Sequence, residues 1–161
     1  MTRELTVLLQ HLSAERQHVL AAVDGLSEEE MVRVVAPSGW SMAQLLNHLT
    51  YDDEIFWGAA VAAGDEEAIG LLRDGWQVPV TSGTEVVERY RHWVGRVDAV
   101  LAEADLDAPP RWWPPKDVFP FPPFQDTRHC VLRLLVETAT HAGHLDLARE
   151  AIDGRQHLVV G

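Results

Sequence analysis

One cysteine, Cys130, and one lysine, Lys116, stand among 161 residues, and no apolar run is long. A lone cysteine forms no internal disulfide and offers no C-x-x-C redox or metal motif. The longest weakly polar stretch, Ile55 to Gly64, falls far short of the roughly 18 consecutive apolar residues of a membrane span, so no membrane partner is expected. Basic residues are scarce as well: 13 Lys and Arg face 25 Asp and Glu, a net charge of −12 at pH 7. That balance opposes a phosphate backbone, and no nucleic acid partner is expected. The start, Met1 to Leu5, lacks the apolar core and cleavage signal of a secretory peptide, which predicts a cytoplasmic protein. Also missing are G-x-x-x-x-G-K, G-x-G-x-x-G and G-x-S-x-G, so nucleotide and serine-hydrolase chemistries have no support.

What is present reads as helix. From about Arg3 to Asp24, Leu5, Leu8, Leu9, Leu12, Val19, Leu20 and Val23 recur at three- and four-residue steps, with Gly25 as a stop. Ser27 and Glu30 have capping-box spacing and open a short turn before Pro37-Ser38-Gly39 breaks the chain. Ser41 and Gln44 repeat that spacing, Trp40 precedes the cap, and a second long helix is predicted through Leu45, Leu49, Ile55 and Val61 to Gly64. A short helix is expected over 66–73. A third long helix runs from Ser82 to near Asp105, and a fourth from Asp126 or Thr127 to Gly154. Between them, seven of the nine prolines fall from Pro109 to Pro123, interleaved with Trp112, Trp113, Phe119 and Phe121 and followed by Phe124. Proline removes a backbone donor and restricts its neighbour, so this is a long Pro/aromatic loop. The expectation is an all-α fold: a four-helix bundle with that loop between its third and fourth long helices, forming one domain over 1–161.

The histidines carry the chemistry. Glu137 and His141 are i, i+4 on the fourth helix, which brings them about 5–6 Å apart at Cβ, close enough to meet on one ion. His144 follows at i+3 on nearly the same stripe, and His48 on the second helix is the natural third donor, because bundles build metal sites from inward Glu and His on opposed helices. Two imidazoles and a carboxylate leave a divalent ion, most simply zinc, with residual positive charge and an open position. Such a centre favours an anion: it either deprotonates a thiol or activates water. With no H-E-x-x-H base, thiolate ranks above hydroxide. Asp52, one turn after His48, would orient that ring as a carboxylate acceptor, against the plainer reading of Asp52-Asp53-Glu54 as a solvated acidic face. His11, His18, His92, His129 and His157 have no comparable partners in sequence and read as solvated or packing residues. Cys130 reads as a small core residue.

Two segments together resemble the DinB/YfiT-like superfamily: Pro37-Ser38-Gly39-Trp40-Ser41 leading into Leu45 to Leu49 and on to Trp57, and Glu137 to Glu150 with Ile152-Asp153-Gly154. Within it the chain is most similar to the actinobacterial branch of mycothiol-dependent enzymes, which includes the metal-binding domain of mycothiol-dependent maleylpyruvate isomerase. The resemblance implies a four-helix bundle holding a divalent metal, usually zinc, and chemistry with a low-molecular-weight thiol. Its His, Glu, His pattern falls on His48, Glu137 and His141, and it moves His144 to a supporting place or an alternative ligand. It also implies a homodimer.

The expected function is therefore a metal-dependent thiol S-transferase, in which a zinc-bound mycothiol-like thiolate attacks a small electrophile. Two other classes stay open: a non-catalytic metal-binding stress-response bundle with a protein partner, and a hydrolase using bound water. The Pro/aromatic loop either walls an electrophile pocket or covers the bundle. Arg149 either meets a cofactor carboxylate or pairs with an acid.

Overall fold

The computed structural model describes residues 1–157, and among these the fold is all-α, with one isolated bridge between Val34 and Ser41 and no strand. Helix α1 spans Arg3–Val23, capped by the Thr2 side chain. Helix α2 is Glu28–Val32, and its capping box, Ser27 with Glu30, is complete in both directions. Ser41 and Gln44 form the second complete box at the start of α3, Met42–His48. A five-residue helix α4, Glu66–Gly70, and a 3₁₀ turn, Gly75–Gln77, precede α5, Gly83–Leu101, and α6, Thr127–Asp153. α6 starts at the Asp126 side chain and stops at Gly154, whose φ of 78° is the left-handed cap that glycine adopts without strain. The third long helix ends four residues before the expected Asp105, and α4 stops at Gly70 instead of Arg73.

The second long helix departs from expectation in kind. After His48 the chain continues not as α-helix but as a π-helical segment, Leu49–Ala62, with wider i→i+5 bonding. Twelve of its fourteen residues are buried, so it has no solvent face to impose a 3.6-residue rhythm. It packs against α6 on one side and α5 on the other, while α1 lies along α6. The approach to α5 is close: a Cβ on Gly58 would sit 2.7 Å from Val97 Cγ1. One half of the core gathers Leu12, Ile55, Val97 and Leu134; the other gathers Leu46, Tyr90, Ala142 and Leu145. No helix among the described residues is long and apolar enough to cross a membrane.

The acidic run is not a solvated face. Asp53 and Glu54 are buried and Asp52 is half-buried. Glu54 takes the Arg16 guanidinium on both oxygens, Nε at 2.7 Å and Nη2 at 2.5 Å, and Arg16 reaches Asp98 at 2.6 Å with its remaining arm. The bidentate fork is what lets two charges sit at 1–2% exposure, since each has its hydrogen bonds met. Residues 102–126 between α5 and α6 contain no helix and are tied down by backbone bonds, Trp112 N–H to Val61 O and Thr127 N–H to Ala108 O. Trp112, Trp113, Phe119 and Phe124 pack partly buried on the core, and Phe121 stays exposed.

Candidate metal centre

His48, the last α-helical residue before the π segment, and Glu137 and His141 on α6 bring one donor atom each into a group whose members all lie within 4.8 Å of one another. His48 Nε2 and His141 Nε2 face each other at 3.2 Å, and Glu137 Oε2 is 3.5 Å from His141 Nε2. Donors bonded at about 2.0–2.1 Å to a tetrahedral ion are about 3.3 Å apart, so these spacings match a shared cation.

The carboxylate beside His48 sets which of its nitrogens is free. His48 Nδ1–H donates to Asp52 Oδ2 at 2.7 Å, leaving Nε2 with its lone pair toward the cluster. Asp52 is itself held by the Gly75 N–H, 3.1 Å from both carboxylate oxygens. That contact requires glycine: a Cβ at residue 75 would fall 2.7 Å from His48 Cα and 2.9 Å from Asp52 Oδ2. The neighbouring Trp76 indole stacks on the His48 ring, centroids 4.5 Å apart and planes 19° apart. His141 Nδ1 is 3.2 Å from His144 Nδ1, so His144 sits behind His141, on the side away from the cluster. Burial, then the neighbouring His48, His144 and Arg133, push the His141 pKa down to about 4, which keeps its imidazole neutral at pH 7. Arg133 Nη2 holds Glu137 through Oε1 at 2.8 Å, leaving Oε2 for the cluster.

Sequence reasoning missed one group. Asp53 Oδ2 is buried, has no hydrogen-bond partner among the described residues, and lies 3.9 Å from His48 Nε2. Desolvation, followed by the charges of Glu137, Glu54 and Asp52, raises its pKa well above the ordinary carboxylate value. An orphaned buried oxygen beside two facing imidazole nitrogens is an arrangement that a cation satisfies, so the residues fit a bound divalent metal. Only the three-dimensional meeting of π segment and α6 reveals this; the D-D-E run by itself carries no such signal.

His18, Asp146 and His157 also assemble, with His18 Nε2 2.7 Å from Asp146 Oδ2 and the two imidazoles stacked at 3.6 Å. Arg149 is buried: Nε donates to Asp153 Oδ2 at 2.9 Å, and Nη1 to the carbonyls of Ala22 and Asp24 at 3.0 and 2.7 Å. The ion pair is present, and a cofactor carboxylate would have to displace it. Burial pushes the Cys130 thiol up to about 12, so it is an inert core group.

Against this geometry stand two comparisons. The family model described as MST, mycothiol-S-transferase, matches residues 7–154. Comparison with the curated proteins finds no match.

Proposed function

The chain belongs to the mycothiol S-transferase family, and from that membership we propose that it is an enzyme that transfers a mycothiol-like thiol to a small electrophile at the His48, Glu137 and His141 cluster. The observation that carries the reading is the meeting of three donor atoms, two of them imidazole nitrogens 3.2 Å apart. A bound divalent ion, in this reading zinc, would supply Lewis acidity that lowers the thiol pKa and favours thiolate at neutral pH.

Each residue then has a task. His48 and His141 present Nε2, and Glu137 presents one carboxylate oxygen. Asp52 fixes the His48 tautomer, Arg133 fixes the Glu137 carboxylate, and His144 steadies the His141 ring from behind. We further read residues 1–161 as one DinB-like four-helix-bundle domain, cytoplasmic and homodimeric, with a small-molecule thiol and an electrophile as its partners.

The test is elemental analysis of the purified chain followed by thiol titration. About one zinc per chain, lost in His48→Ala and weakened in Glu137→Gln, with electrophile consumed only when mycothiol or another low-molecular-weight thiol is added, is the expected result. Absence of turnover with mycothiol, bacillithiol, glutathione and cysteine alike sinks the transferase. A second reading, hydrolysis by activated water, has one observation in its favour, the unpartnered Asp53 carboxyl as a nearby base. Turnover of an ester without any thiol would select it.

A further inference from the structure

α6 carries His129, Arg133, Glu137 and His141 at four-residue steps, so one stripe of the helix runs from the metal cluster toward its N-terminal end. At 1.5 Å per residue, Arg133 lies about 6 Å and His129 about 12 Å along the axis from Glu137. There the stripe borders a cavity of about 630 Å³ between the π segment, α6 and the Pro/aromatic segment. The volume is that of a small-molecule site.

Its walls are unusually aromatic. Trp57, nearly buried, stacks on Phe124 with centroids 5.0 Å apart and planes 15° apart, and meets Phe119 edge-on at 5.7 Å. Phe119 and Phe121 are 5.1 Å apart, and the Trp113 Nε1–H donates to the Phe121 carbonyl, which ties the exposed end of the loop to its base. Such π faces add to area burial when another ring joins them. The polar groups on the wall are the Gln125 amide, His129, and the Arg133 guanidinium, which only donates, over the Trp57 ring at 5.9 Å. His129 already serves Asp126 at 2.7 Å. Arg133 is about half exposed, and among the described residues its one acidic partner, Glu137, is held through Nη2, leaving other N–H groups open there.

We propose that this cavity binds a planar aromatic electrophile bearing a carboxylate, its ring among Trp57, Phe119, Phe121 and Phe124 and its carboxylate on the open edge of Arg133. The word electrophile rests on the thiol-transfer reading; the binding does not. Arg133 is the joint between the two sites, since it touches both the cavity and the Glu137 carboxylate that faces the metal cluster. A ligand anchored there lies one helical turn from the donor atoms.

Calorimetric titration of the whole chain, with and without bound zinc and in the absence of thiol, tests this with three probes. trans-Cinnamate has ring and carboxylate, cinnamamide the ring alone, and crotonate the conjugated carboxylate alone. Cinnamate is expected to saturate one site and to bind at least about tenfold tighter than either other probe, the effect of one charge-assisted pair or one buried ring. Arg133→Gln should weaken cinnamate about tenfold and cinnamamide less than about threefold. Phe121→Ala, at a position exposed enough to leave the fold intact, should weaken both ring probes. Equal affinity of cinnamate and crotonate, cinnamate binding that disappears on zinc removal, or an unchanged Arg133→Gln overturns the proposal. Binding as expected without thiol turnover would sink the transferase alone; turnover with no cinnamate site would sink this subsite alone.

Discussion

Two histidine pairs link other elements to α6 and its C-terminal side, and they differ in the angle between their rings. His48 and His141 meet at 77°, centroids 4.8 Å apart, with the two Nε2 atoms at 3.2 Å. His18 and His157 lie nearly parallel, 16°, at 3.6 Å. An imidazole lone pair lies in the ring plane. Crossing planes share a line on which both lone pairs can point at one ion, whereas parallel planes share none. In the second group, moreover, His18 Nε2 and Asp146 Oδ2 are 2.7 Å apart, a hydrogen-bond distance too short to admit a cation between them. Both groups have a carboxylate and two histidines with donor atoms within 4.8 Å. Proximity of donors is thus common to both, and orientation separates a cation-shaped group from a stack that fastens the residues after α6 to α1.

The largest expected effect tests that separation directly. Zinc at about a thousandfold over its dissociation constant should stabilise the native chain by about 4 kcal/mol, which for a domain of this size raises the melting temperature by about 8–16 °C. His48→Ala and His141→Ala should lose this shift, and His18→Ala and His157→Ala should keep it. Loss of the shift in His157→Ala would erase the distinction between the pairs. Next in size, Asp52→Asn frees the His48 ring from its carboxylate and should weaken zinc about 10- to 100-fold in chelator competition; an unchanged affinity would mean that Asp52 does not orient the ring.

Acid sharpens the comparison in the metal-free chain. The folded pKa of His141 is depressed to about 4 from 6.5, so between those values the unfolded chain binds the extra proton. Its contribution to stability is therefore full above pH 6.5 and is lost as pH falls toward 4. With the ring partly open to solvent, the loss amounts to about 1–2 kcal/mol. Asp53, raised in pKa, acts in the opposite direction, because its protonated folded form loses relative stability as pH rises above the unfolded carboxylate value. The quantity to measure is accordingly the difference between wild type and His141→Gln in urea midpoints across pH 4–6.5; a flat difference would contradict the neutral assignment. The smallest effect belongs to His144→Ala, which removes only the support behind His141 and should shift zinc affinity less than about threefold. Equal losses from His144→Ala and His141→Ala would make His144 a ligand.

Much of this was legible in the residues. The boxes Ser27/Glu30 and Ser41/Gln44, the Asp126 start and the Gly154 stop mark helix ends because their signals are local hydrogen bonds and a local φ. The juxtaposition of Glu137 with His141 follows from helical spacing. The π segment was not legible: Ile55 to Ala62 is apolar on every side, and a pattern without a polar face cannot report its own pitch. Nor were the fates of Asp53 and Glu54, which depend on His48 and on Arg16, 38 residues upstream. The His18 and His157 stack depends on a contact between residues at opposite ends of the chain, beyond any local rule.

The stacking of Trp76 on His48 gives the site an optical readout of its own. An indole 4.5 Å from a ring that gains a cation feels that charge through its π electrons. Tryptophan emission should then change as metal loads, and the change should vanish in Trp76→Phe while uptake persists. The same contact makes colour-free ions such as zinc visible in a fluorimeter without a dye.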